Sequence, residues 1–364
     1  MYFRSFFPRF WLSLLGTALL SSLGTSFYTL AADAPIQQAA LTPPAASNPP
    51  VEIDTNPTIT DVPYGPCEKN KLDFWKAPSD KPTPLIVEIH GGGFYEGDKS
   101  GFRHDRTNIT RCLSLGVSLA SINYRFIGEA PIQDILRDSA RAIQFLRYNA
   151  TDWNIDKTRI AAFGESAGAG TSLWLAFHDD LADPNNPDPV LRESTRLKAA
   201  GAESPQATYD FSRWPQVLDI PQYIWQCSNW FVSPSYYHMD GLEVFKPEGR
   251  KVRADLDMLA WIDPSDPPVY LWSKQVNTNM SYVNLCRFGY AWATQMLSEG
   301  KVTDPNKVIN ETHINFDILH HPAHTQTLEK TCQRIGVPCT VVYRDTPNEQ
   351  KITLFDFLLK QLLP

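Results

Sequence analysis

Short apolar runs alternate along this chain with segments of helical period. Leu85-Ile-Val-Glu-Ile89 reads as a strand. Residues 105–115 read as a helix that stops at Gly116, and Val117 to Tyr124 as the next strand. From Asp134 to Tyr148 the apolar and small residues Ile135, Leu136, Ser139, Ala140, Ile143 and Leu146 fall on one stripe, as in an amphipathic helix. A further apolar strand leads to Gly164, and a helix-like stretch, Thr171 to Phe177, follows. Leu197 to Ala202 and Pro268 to Ser273 read as short strands, Thr325 to Ile335 as a helix stopping at Gly336, Val337 to Tyr343 as the last strand and Ile352 to Leu363 as a terminal helix. Strands that are apolar throughout, separated by helices, predict an α/β fold: a mainly parallel sheet covered by helices on both faces. Residues 206–267, rich in Trp, Tyr and Pro, exceed a simple connection and read as a lid or insertion.

The ends differ from this pattern. Arg4 and Arg9 precede the apolar run Phe10 to Leu20, and Ala32-Asp33-Ala34 has the small-x-small form of a cleavage site. Residues 1–34 therefore read as a secretory signal, with retention as an uncleaved anchor as the alternative. Residues 35–60, rich in Ala, Pro, Asn and Thr, read as a disordered linker, leaving 61–364 as the folded domain. A secreted or periplasmic protein without stable membrane insertion after signal cleavage is expected. Its six cysteines, Cys67, Cys112, Cys227, Cys286, Cys332 and Cys339, would permit disulfides there, with Cys332 and Cys339 a plausible pair. No C-x-x-C spacing marks a zinc or redox site. The net charge of -7 speaks against nucleic acid as a partner.

Chemistry concentrates in two glycine-bearing turns. Arg159 to Phe163 runs into Gly164-Glu165-Ser166-Ala167-Gly168, a Gly-x-Ser-x-Gly turn between strand and helix. Such a turn strains the serine backbone and pushes its hydroxyl out of the sheet. His90-Gly91-Gly92-Gly93-Phe94 directly follows the first apolar strand. A glycine run there brings backbone N–H groups close to a substrate, where they stabilise a tetrahedral oxyanion.

On these residues, with Tyr95 to Lys99, Ser121 to Arg125 and Ile155-Asp156, the chain resembles the α/β-hydrolase superfamily. More narrowly it is similar to the secreted carboxylesterases and the acetyl-xylan, feruloyl and hormone-sensitive-lipase-like esterases. The resemblance implies Ser166 as nucleophile and Gly92, Gly93 and Ala167 as oxyanion donors. It implies the order Ser, acid, His, and Asp317, shortly before Pro322, looks like the family's acid. The histidine expected after the last strand is absent from Arg344 to Lys351, and none follows His324. Candidates for a displaced base are His320, His321 and His324, with His104 and His238 further off; His321 is taken here. His313, His320, His321 and His324 as a metal site is the weaker reading, so neither metal nor cofactor is expected. The function implied is an exported serine carboxylic-ester hydrolase acting on a small-molecule or polysaccharide-linked acyl ester. A non-catalytic binding protein on the same fold is the alternative.

Overall fold

The computed structural model describes residues 53–219, 233–273, 319–347 and 351–364. Their centre is an eight-stranded sheet of order β1-β2-β4-β3-β5-β6-β7-β8. The strands are β1 (Ile59–Pro63), β2 (Lys71–Trp75), β3 (Thr83–Ile89), β4 (Ser118–Ile122), β5 (Ile155–Glu165), β6 (Ala199–Glu203), β7 (Val269–Ser273) and β8 (Cys339–Tyr343). β1 pairs antiparallel with β2, and β2 with β4; every later pairing is parallel.

Sequence pattern explains this layering. β3 is buried almost throughout because both of its faces are covered. Leu85, Val87 and Ile89 join one core, with helices α2 (Ile132–Tyr148), α4 (Ala167–Phe177) and α8 (Pro322–Ile335). Ile86 faces the second core, built from α1 (Arg106–Ser114) and α9 (Leu354–Leu362). The helix stops fall where glycine allows a left-handed residue: Gly336 after α8 has φ 97°. Thr353 and Asp356 cap α9 reciprocally.

The structure differs from the expectation in three places. β1 and β2 have no counterpart in the periodicity, since short edge strands with mixed composition carry a weak signal. The linker expected over 35–60 runs too far: residues up to 52 lie outside the described part, but Ile53 already packs on the second core and Thr55 accepts the Trp75 indole N–H at 2.9 Å. The insertion over 206–267 has, where described, its own short elements. These include α5 (Trp214–Leu218), a wide turn Ser233–Tyr237, α6 (Pro247–Asp255) and α7 (Met258–Trp261), while the four-residue helix α3 (Ala150–Trp153) precedes β5. Tyr209, Phe211, Trp214 and Tyr237 of this connection join the first core.

The expected signal, residues 1–34, lies outside the described residues, as do Cys227 and Cys286. Cys67, Cys112, Cys332 and Cys339 are free thiols, so the expected pair Cys332 and Cys339 is not bridged. Among the described residues no helix is long and apolar enough to cross a membrane.

Candidate active site

Ser166 stands between the C-terminal end of β5 and the first residue of α4, at φ 54° and ψ -115°. A non-glycine residue adopts that conformation only where its surroundings enforce it. Here the Ser166 N–H donates to the Glu203 carbonyl at 2.9 Å, and its own carbonyl accepts from Gly170 N at 3.0 Å. The flanking glycines leave the room. A Cβ on Gly164 would stand 2.3 Å from the Ile89 carbonyl oxygen. The expected strand–turn–helix is thus present, with the hydroxyl at the C-terminal edge of the sheet.

The glycine loop leaves β3 beside it. A Cβ on Gly91 would lie 3.5 Å from the Ser166 Cβ, so the two turns are in contact. Gly92, Gly93 and Phe94 have φ values of 100°, 61° and 65°. The Gly92 carbonyl accepts from Tyr95 N at 2.9 Å and Glu96 N at 3.2 Å, which closes a tight turn. Ala167, the other expected donor, opens α4, whose first-turn N–H groups lack intrahelical partners and carry the positive end of the helix dipole.

His90 holds the loop from below. Its Nδ1 lies 2.7 Å from the Gly91 carbonyl, which fixes the proton on that nitrogen. Its ring stacks on Tyr124 at 4.3 Å, and the Tyr124 hydroxyl donates to the His90 carbonyl at 2.6 Å. Burial lowers the His90 pKa, opposed by the Gly91 carbonyl bond, so the ring is neutral at physiological pH. From above, the Tyr236 hydroxyl donates to the Gly93 carbonyl at 3.3 Å. The Tyr209 hydroxyl donates to the Ala167 carbonyl at 2.9 Å. Sequence reasoning did not assign Tyr124, Tyr209 or Tyr236 to the site; isolated tyrosines carry no local signal.

Of the candidate histidines, His320 is the one that lies against the serine. Its Nε2 lies 2.8 Å from Ser166 Oγ, across a sequence separation of 154 residues. This corrects the choice of His321. The chain enters α8 at this point, and neighbouring side chains diverge there: His321 is the N-cap residue, extended at φ -61° and ψ 135°, with its Nδ1 accepting from Ala323 N at 3.2 Å. The other candidates are engaged elsewhere. His324 is buried, its Nδ1 accepting from Ala207 N at 3.2 Å. His238 is exposed and its Nε2 bonds the Ile127 carbonyl at 2.7 Å. His104 ends a turn, Lys99–His104, that leads into α1 on the other side of the sheet. His320, His321 and His324 therefore meet three different partners. Asp317 and His313 lie outside the described residues.

Residues 72–214 match the BD-FAE family model. The chain is 31% identical over 160 residues to the probable carboxylic ester hydrolase LipM of Mycobacterium tuberculosis (strain ATCC 25618 / H37Rv), covering 42% of this chain and 35% of that protein. It is 27% identical over 168 residues to esterase LipI of the same organism, covering 42% of this chain and 51% of that one. The chain thus spans about a third to a half of the length of these relatives. A solved structure, a truncated carbohydrate esterase from gut microbiota, superposes with a TM-score of 0.53 at 16% identity, over 85% of this chain and 97% of that one, and shares the fold. Sheet order and elbow give the chain the α/β-hydrolase fold, and its segment 72–214 is similar to the BD-FAE family.

Proposed function

We propose that the protein is a serine carboxylic-ester hydrolase. The observation that carries this is the 2.8 Å contact between His320 Nε2 and Ser166 Oγ. A serine hydroxyl is a weak nucleophile until a base takes its proton, and Nε2 is within reach of it. Ser166 Oγ attacks the ester carbonyl carbon while its proton passes to His320 Nε2. The resulting oxyanion faces the N–H groups of the Gly92–Gly93 turn and of Ala167. Collapse breaks the bond to the alcohol oxygen, which takes the proton from Nε2. Water then repeats the sequence on the acyl-enzyme and releases the acid. Asp317, just upstream of His320, is the residue assigned to orient the imidazole.

An acetyl or feruloyl ester on a small molecule or polysaccharide is the proposed substrate. The BD-FAE match and the carbohydrate-esterase fold support it. Action outside the cytoplasm, after removal of residues 1–34, is part of the same reading. The binding-only alternative drew its force from the missing histidine after β8, and His320 supplies that function from another connection. The test is turnover of a short-chain aryl acetate together with labelling by a fluorophosphonate. Both are expected in the parent and lost in Ser166→Ala; turnover that survives Ser166→Ala, or a parent that takes no label, overturns the proposal.

A further inference from the structure

His320 sits in a turn, not at the end of a strand. A base so placed needs its backbone fixed from outside. The stretch just after β6 supplies the fixing. Gln206, buried, donates from Nε2 to the carbonyl of Leu319 at 2.8 Å, holding the peptide that leads into His320. One residue on, the Ala207 N–H donates to Nδ1 of His324 at 3.2 Å. The ring of Trp214 meets His324 edge-on at 4.7 Å, and its indole N–H donates to the Thr208 carbonyl at 2.9 Å, which ties this contact back to the same stretch. The first turn of α8 closes through His324 N donating to the His321 carbonyl at 3.0 Å.

His320 is thus bracketed at residues 319 and 324, and both brackets come from residues 206 and 207. The residue that ends β6, Glu203, accepts the Ser166 N–H, and the next, Ser204, is set at φ 53° with its N–H on the Trp272 carbonyl at 2.7 Å. One short piece of backbone, Glu203 to Ala207, therefore references the nucleophile at one end and the base at the other. The chemistry of the bonds also fixes a protonation state. Nδ1 of His324 accepts from a main-chain N–H, so it carries no proton of its own.

We infer that Gln206 and His324 are positioning residues of the Ser166–His320 pair. They touch no substrate; they set the distance between base and hydroxyl. This rests on His320 being the base.

The experiment compares Gln206→Met, which keeps length and loses the donor, with the pair His324→Phe and His324→Asn, of which only Asn offers an acceptor near the Nδ1 position. Active sites are titrated with a fluorophosphonate, and kcat and KM for an aryl acetate are expressed per titrated site. Loss of the Leu319 anchor is expected to lower kcat per site about 10- to 100-fold with KM within about twofold, as misplacement of a catalytic group does. His324→Phe should behave alike and His324→Asn should recover most of the loss. A role in stability alone would lower the melting temperature and the titratable fraction while leaving kcat per site intact, and that result overturns the inference. Should Gln206→Met yield no soluble protein, the His324 pair decides: equal kcat per site in Phe and Asn variants overturns it as well. His320→Ala is run alongside. If it retains parental kcat, the reading of His320 as base has failed rather than the bracket.

Discussion

Gly168 lies so close to Ile89 that a Cβ on the glycine would stand 1.9 Å from the Ile89 carbonyl oxygen. The first turn of α4 is thereby pressed against the end of β3, and the elbow and the glycine loop become neighbours. Gly168→Ala cannot be accommodated by turning a side chain, because the obstacle is main chain. It is expected to cost about 3 kcal/mol or more. Gly101→Ala meets nothing within 4 Å and is expected to be neutral or to stabilise by up to about 1 kcal/mol. Chemical denaturation of the two variants checks the contrast; equal stability would refute the close approach.

Adjacent histidines at the entry to α8 should separate cleanly in kinetics. His320→Ala is expected to lower kcat by about four to six orders of magnitude, with the fold unchanged. His321→Ala removes the cap bond to Ala323 N, so stability falls by about 1 kcal/mol and kcat per active site falls far less than in His320→Ala. Steady-state kinetics with thermal melting on both variants test this. Full activity in His320→Ala would move the base elsewhere.

Glu88, near the end of β3, points its carboxyl at the hydroxyl of Ser121 on β4, which also donates to the Lys99 carbonyl at 2.9 Å. Burial pushes the Glu88 carboxyl up to about 7 from 4.5, opposed by the Ser121 bond. A raised folded-state value means the folded chain holds its proton longer than the unfolded chain does. The stabilising contribution is thus complete below pH 4.5 and is lost as pH rises toward 7. Glu88→Gln removes that slope, so at pH 8 it should be the more stable protein by on the order of 3 kcal/mol, and near pH 4 the two should match. Melting curves across this range decide it; a constant offset at every pH would contradict the assignment.

Asp73 on β2 is fully buried between two cations. Lys99 Nζ approaches one carboxylate oxygen at 2.9 Å, and Arg103 approaches the other through Nε at 2.8 Å and Nη2 at 2.6 Å. Lys99 also reaches Asp61 of β1 at 2.7 Å. Asp73→Asn leaves a buried lysine facing only the exposed Asp61 and should destabilise by about 3 kcal/mol, since one charge of a buried pair is stranded. Lys99→Met with Asp73→Asn should recover part of the loss in a denaturation experiment.

The elbow and the glycine loop were legible because each is a local device: glycines at fixed spacing, next to a strand, with a helix after it. The central strands were legible because burial on both faces makes them apolar throughout. β1 and β2 were not, since their place depends on pairing with β4 and on the Asp73 cluster, which no periodicity reports. The histidine that meets Ser166 was half legible. Absence of a histidine after β8 and the cluster near residue 320 were both visible. What separates His320 from His321 is the direction of two side chains at a helix entry. That is decided by a cap bond to Ala323 and by contacts from residues 206 and 207, far off in sequence. Gln206 itself carried no mark within the Trp-, Tyr- and Pro-rich stretch that reads as a lid.

His320 enters from between β7 and β8, so the reactive pair is complete before the last strand begins. The turn that follows β8, which the resemblance would charge with carrying the imidazole, is relieved of that duty. β8 and α9 instead border the second core, where Val342, Leu354 and Phe355 are buried. A tag, a graft or a new binding loop placed in that turn is expected to leave the 2.8 Å contact between His320 Nε2 and Ser166 Oγ unchanged.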